Sequence, residues 1–135
     1  MNNGRFATAL HILTLLETKK GELLSSGFIA GSINVNPVVV RKEIGNLRAH
    51  GFVESKEGKG GGYLLGKPAS QIRLSDVYRA VNDVQLLGRS NDPNPDCLVG
   101  KQINVHLNDL FRAADEALIK QMGKITLRDF AKKFN

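Results

Sequence analysis

The stretch from Ile29 to Val40 constrains this chain most. Ala30 supplies a small residue, Asn34 follows four positions later, and Val40 stands six further on. Two helices that cross closely over a tight turn need that set. The small residue lets the backbones approach, the turn needs a residue tolerant of left-handed backbone, and the second helix needs an apolar anchor. Ile29, Ile33 and Val35 fill the flanking buried positions. Asn36-Pro37 then marks a helix start, because asparagine caps and proline fits the first helical position. The spacing predicts a helix-turn-helix.

The surrounding patterns extend it. Phe6, Ala9, Leu10, Leu13 and Leu16 recur at helical spacing and predict an amphipathic helix over 3–17, ended by Lys19-Lys20-Gly21. Ser25 and Ser26 are cap-type residues ahead of the short helix that carries Ile29, Ala30 and Ile33. A third helix is expected from Asn36 to about His50, stopped by Gly51. Residues 52–56 and 63–65 read as strands of a β-hairpin, joined by the flexible glycine-rich turn Glu57-Gly58-Lys59-Gly60-Gly61-Gly62. Leu74, Val77 and Val81 share one face of a further short helix. Residues 88–96 are a loop by composition. A long helix is expected over 97–122, with a terminal helix opened by the capping box Thr126-Leu127-Arg128-Asp129. The fold class is therefore mainly α with a small β-hairpin. Its expected layout is a winged helix-turn-helix over 1–84, a loop over 85–96, and 97–135 as a long dimerisation helix with a terminal helix packing back.

Charge sharpens the functional reading. The 135 residues carry 19 Lys+Arg against 13 Asp+Glu, a net +6. Residues 1–80 hold +5 of it and residues 81–135 only +1. A basic segment beside a neutral one suggests a polyanion-binding part and a part with another task. On a helical wheel of residues 37–50, Val40, Ile44 and Leu47 share the core side. Val38, Arg41, Lys42, Gly45 and Ala49 lie roughly opposite. A helix entering the major groove needs cations for phosphate or guanine, small residues for close approach and an apolar group for a thymine methyl. The candidate DNA-binding residues are Ser25, Ser26, Asn36, Val38, Arg41, Lys42 and Gly45, with Lys56, Lys59 and Gly60 on the hairpin. Capping alone would account for Asn36 equally well. A winged-helix module that binds proteins is the rival reading, and Arg41, Lys42, Lys56 and Lys59 discriminate the two.

In the 97–122 helix, Val99, Ile103, Leu107, Leu110, Ala114 and Leu118 form an apolar stripe and are the candidate dimerisation residues. At 1.5 Å per residue the helix would be about 39 Å long, more than a small domain requires. A two-fold dimer would present two recognition helices to a palindromic site.

The run from Ser25 to Asp83 resembles the Rrf2 family of bacterial transcriptional regulators. The resemblance rests on Ile29-Ala30, Asn36-Pro37-Val38-Val39-Val40-Arg41, Leu47, Gly51-Phe52-Val53, Gly61-Gly62-Tyr63-Leu64-Leu65 and Asp76-Val77. Asn94-Pro95-Asp96-Cys97-Leu98-Val99-Gly100 looks most like the YwnA-type branch. The resemblance implies a homodimeric repressor. The best-known members hold an iron–sulfur cluster on three cysteines between the winged domain and the long helix. This chain has one cysteine, Cys97. Cluster ligation needs four ligands, mostly thiolates, so no cluster is expected. Arg73 is a second departure, at a place where the family often has a Thr/Ser cap.

Cys97 is expected at the start of the long helix, one turn before Lys101. That placement lowers a thiol pKa and suits a redox sensor; Asp92 and Asp96 oppose it, and a lone cysteine also suits a buried apolar site. His11, His50 and His106 lack metal-ligand spacing, so no metal site is expected. Gly61-x-x-x-x-Gly66-Lys67 nearly spells a phosphate loop, but Pro68 stands where the hydroxyl belongs. No catalytic constellation stands out, and an enzyme is not expected. The expected partners are duplex DNA and a second copy of the chain, with a small-molecule effector as one source of the signal. With no membrane span, no signal-peptide pattern and no disulfide framework, a cytoplasmic location is expected.

Overall fold

The computed structural model describes residues 4–82, 87 and 90–134. The expected 84/85 boundary lies outside the described residues, as do loop positions 85, 86, 88 and 89. Three helices come first: α1 Arg5–Thr18, α2 Ser26–Ile33 and α3 Pro37–Ala49. The antiparallel hairpin β1 Val53–Lys56 and β2 Gly62–Leu65 follows, then a 3-10 turn Ala69–Gln71 and α4 Leu74–Val81. Helix α5 Leu98–Met122, helix α6 Leu127–Ala131 and a 3-10 turn Lys132–Phe134 complete the order. This is the mainly helical winged architecture expected from the sequence. Against the expected 3–17, α1 runs one residue further, to Thr18; position 3 lies outside the described residues.

Local chemistry sets the helix ends. Asn34 turns into the left-handed region at φ 64° and closes α2. The Ser25 hydroxyl accepts the Phe28 N–H at 3.0 Å, so Ser25 is the cap and Ser26 the first helical residue. The Asn36 carbonyl Oδ1 accepts the Val38 N–H at 2.8 Å. Thr126 and Asp129 cap α6 reciprocally, at 3.1 and 3.2 Å. The Thr126 backbone N–H is the first cause holding the Asp129 carboxyl below its ordinary value, and the Thr126 hydroxyl is the second.

The core gathers Ile12 and Leu13 of α1, Ile29 of α2, Val40, Ile44 and Leu47 of α3, Ile72, Val77 of α4 and Leu127 of α6. Each fully buried aliphatic side chain contributes about 1.5–3 kcal/mol of transfer free energy. Leu24 joins the hairpin as an isolated bridge to Tyr63, a contact the sequence patterns do not signal.

The hairpin tip is more constrained than the flexible turn expected. The Gly61 N–H donates to the Gly58 carbonyl at 3.0 Å, and Gly60 holds φ 77°. A Cβ on Gly62 would approach the Leu24 carbonyl at 2.8 Å, so only glycine lets the second strand lie against residue 24.

Arg73 explains its departure from a Thr/Ser cap. Its guanidinium donates to the Gly123 carbonyl at 2.7 Å, at the C-terminal end of α5. Its backbone N–H is received by the Asp76 carboxylate at 3.0 Å, and Arg73 bridges Thr126. The position serves the far end of the long helix as well as the start of α4.

Candidate nucleic-acid interface

Helix α3 has two unlike faces. Val40, Ile44 and Leu47 are buried. Val38, Arg41, Lys42, Gly45 and Ala49 are all exposed, as the wheel predicts. Val38 leaves 60% of its surface in solvent, and neighbouring Val39 is also open. A Cβ on Gly45 would meet nothing within 4 Å, so packing within the chain does not require glycine there. Asn36 is exposed with its oxygen committed to the cap, which leaves its amide nitrogen as the group able to meet a base.

The other candidates lie outside α3. Ser25 is exposed and Ser26 half-buried at the start of α2. Lys56 ends β1, and Lys59 and Gly60 lie exposed at the hairpin tip. Lys19 sits over the open Phe28 ring at 5.7 Å. Lys67 lies over Phe52 at 5.4 Å, and residues 62–65 form a strand, so the near phosphate-loop pattern builds no loop. His11 pairs with the Ser32 hydroxyl at 3.0 Å, and His50 with the Asn46 carbonyl at 2.9 Å.

One element of the surface escapes the sequence patterns. Glu43, on α3, is 5% exposed. Its carboxylate receives the Arg5 guanidinium of α1 at 3.0 Å and the Asn46 amide at 3.0 Å. The same amide donates to the Ala80 carbonyl of α4 at 2.9 Å. The wheel puts Glu43 beside Leu47 at the edge of the core face, which points to burial but not to its partner. Tyr78 of α4 packs edge-on against Phe6 and bonds to Asn82. Burial pushes its hydroxyl pKa up, and Asp115 of α5 adds to the shift.

Helix α5 corrects the single-stripe reading. Phe111, absent from the expected stripe, is its one buried residue at 6% exposure. Leu107, Ala114 and Leu118 share its side and are half-buried. Val99, Ile103 and Leu110 are exposed. Two neighbouring stripes thus interleave at similar spacing, one facing the chain's own α4 and one facing solvent. The inner stripe was hidden because Phe111 directly follows Leu110, and a list of steps of 3 and 4 passes over it.

Cys97 caps α5 and is exposed, so it is not a core residue. The Gly100 N–H, and after it the Val99 N–H, hold its thiol pKa below the ordinary value. Among the described residues no helix is long and apolar enough to cross a membrane.

The Rrf2 family, described as an iron-dependent transcriptional regulator, matches residues 2–133. The YwnA protein of Bacillus subtilis (strain 168), named an HTH-type transcriptional regulator, is 39% identical over 130 residues, covering 96% of both chains. A crystal structure described as a DNA binding protein is 35% identical with a TM-score of 0.75, covering 93% of this chain and 97% of that one. The fold is also that of CymR, the global cysteine regulator of B. subtilis, at a TM-score of 0.74 and 23% identity over 98% of this chain and 97% of that one. The iron in the family's description needs ligands, and these residues do not fit an iron–sulfur cluster. The sequence has one cysteine, and among the described residues no three His, Cys, Asp or Glu side chains gather to hold a metal. The outward cationic face of α3, the glycine-built wing and the match along nearly the whole sequence agree: the chain belongs to the Rrf2 family and is a DNA-binding transcription regulator.

Proposed function

We propose that the protein is a homodimeric repressor that places α3 of each copy in successive major grooves of a palindromic operator. The observation that carries this reading is the exposed face of Val38, Arg41, Lys42, Gly45 and Ala49 above a fully packed core face. Arg41 and Lys42 meet guanine or phosphate, Val38 meets a thymine methyl, and Asn36 offers its amide nitrogen. Ser25, Ser26, Lys56, Lys59 and Gly60 hold the backbone from the start of α2 and the wing. Residues 1–84 then act as the DNA-binding part, 85–96 as a connection and 97–135 as the dimerisation part.

The outer stripe of α5, Val99, Ile103 and Leu110, faces the second copy, with Leu107, Ala114 and Leu118 completing the seam from beneath. An exposed apolar row of this kind is what a symmetric partner covers. The protein works without an iron–sulfur cluster, in the cytoplasm, as a binding protein and not an enzyme. We place its signal at Cys97 ahead of a small effector, because the thiol is exposed and its thiolate is favoured by the start of α5. The thiolate would attack a peroxide oxygen. The O–O bond would break, hydroxide would leave, and the sulfur would become a sulfenic acid.

The test is selection of bound duplexes from a random-sequence library, with and without hydrogen peroxide, alongside sedimentation of the free protein. The reading expects a palindromic consensus, a dimer, and release by peroxide that Cys97→Ser abolishes. A half-site consensus with a monomer would overturn the dimer. Release that persists in Cys97→Ser would overturn the thiol switch.

A further inference from the structure

Apolar packing and hydrogen bonding hold a helix in different ways. Val40, Ile44 and Leu47 press α3 onto the core, but hydrophobic contact is non-directional and leaves a helix some freedom to roll about its axis. Hydrogen bonds weaken steeply as they misalign, so they oppose that roll. On α3 the directional contacts lie along one flank, between the core face and the outward face. Glu43, Asn46 and His50 form that flank by helical spacing. Asn46 occupies its middle, half-buried, and its amide donates both to the Glu43 carboxylate at 3.0 Å and to the Ala80 carbonyl at 2.9 Å. Both partners are pure acceptors, so the amide nitrogen must point this way. Glu43 is anchored in turn by Arg5 of α1 at 3.0 Å. Helix α3 is therefore pinned to α1 and α4 through a single side-chain amide and one buried carboxylate.

We propose that Asn46 is a positioning residue for DNA recognition: its amide, held between Glu43 and the Ala80 carbonyl, sets the roll of α3 and so aims Val38, Arg41 and Lys42 at base edges. Base readout tolerates little angular error, because a recognition group must sit within roughly 0.5 Å and 10–20° of its productive geometry. Phosphate contact by flexible lysines tolerates much more. Loss of the pin should therefore damage sequence discrimination far more than general affinity. The inference rests on α3 being the recognition helix.

The test uses the full-length protein and two variants, Asn46→Ala and the milder Asn46→Ser. Neither changes the net charge. Two probes are titrated well below the melting temperature measured by circular dichroism: the duplex selected by the wild-type protein, and poly(dI-dC). The expected result is a cooperative melt, at least about tenfold weaker binding to the selected duplex, and poly(dI-dC) binding within about twofold of wild type. Reselection with the variant should return a more degenerate consensus. A structural role alone would move the melting temperature and leave the ratio of the two affinities unchanged. That result overturns the proposal, as does binding of the selected duplex at wild-type strength. If Asn46→Ala fails to fold, Asn46→Ser is judged by the same ratio. If the wild-type protein selects no consensus, the failure lies with α3 as the recognition helix, and the proposal falls with it.

Discussion

Helices α1 and α5 handle apolar surface in opposite ways. Helix α1 has 14 residues and buries six of them: Ala9, Leu10, Ile12, Leu13, Thr14 and Leu16. Helix α5 has 25 residues and buries one, Phe111. Yet α5 is not a polar helix, for Leu98, Val99, Ile103, Val105 and Leu110 all stand in solvent. The first helix completes its packing within its own chain. The second is held at its C-terminal end by Arg73 and along its middle by Phe111 and the half-buried Leu107, Ala114 and Leu118, and presents its other apolar residues outward. Leu13 in α1 and Leu110 in α5 are thus different objects: the first is fully buried and serves the fold, while the second stands in solvent and is the one we propose serves association.

The largest effect should come from Leu13→Ala. It leaves a cavity in a fully buried site and should cost about 2–5 kcal/mol in urea unfolding. Leu110→Ala, measured at concentrations where the protein is monomeric, should stay within about 0.5 kcal/mol. Equal losses would erase the contrast between the two helices. Next comes Leu110→Glu, which places a charge on the outer stripe. Self-association by sedimentation should weaken on the order of a hundredfold while the monomer keeps its melting temperature. An unchanged dimer would show that another surface carries association.

The same contrast between inner and outer recurs within α3, at smaller scale. Arg41→Ala should cost about 1–3 kcal/mol on the selected duplex and relax preference at the bases it meets. Lys59→Ala should weaken all duplexes alike and reduce the slope of log affinity against log salt by about one. Gly45→Ala is the subtlest. The open space around Gly45 lets alanine raise stability by up to about 1 kcal/mol through helix propensity, while duplex binding weakens because the added methyl sits on the groove side. Tighter binding by that variant would mean that α3 does not approach DNA closely there.

Much of this was legible in the residues. Asn34 and Asn36-Pro37 mark a turn and a cap by their own backbone chemistry, and the structure puts them there. The wheel on α3 separated its faces because burial follows the 3.6-residue period closely in a short straight helix. Contacts between distant segments were less accessible. Glu43 looks like a surface charge until Arg5, 38 positions earlier, is brought beside it. Asn46 resembles any solvated amide until Ala80 arrives 34 positions later. Arg73 looked like a missing cap because its true partner, Gly123, lies 50 residues on. In α5 the period itself misled, since two apolar stripes side by side have the same steps as one broad stripe.

The Arg73–Gly123 bond also makes α5 a lever. Arg73 holds its C-terminal end and Phe111 its middle, so the lever arm runs from Phe111 to Cys97, about 21 Å at 1.5 Å per residue. A swing of roughly 10° about Phe111 displaces the Cys97 end by about 4 Å. In the opposite sense, a shift of about 4 Å at that end arrives at α4, which packs against the helix, as a rotation of roughly 10°. Were Cys97 oxidised as proposed, such a rotation of α5 against α4 would be the form in which the change reached the rest of the chain.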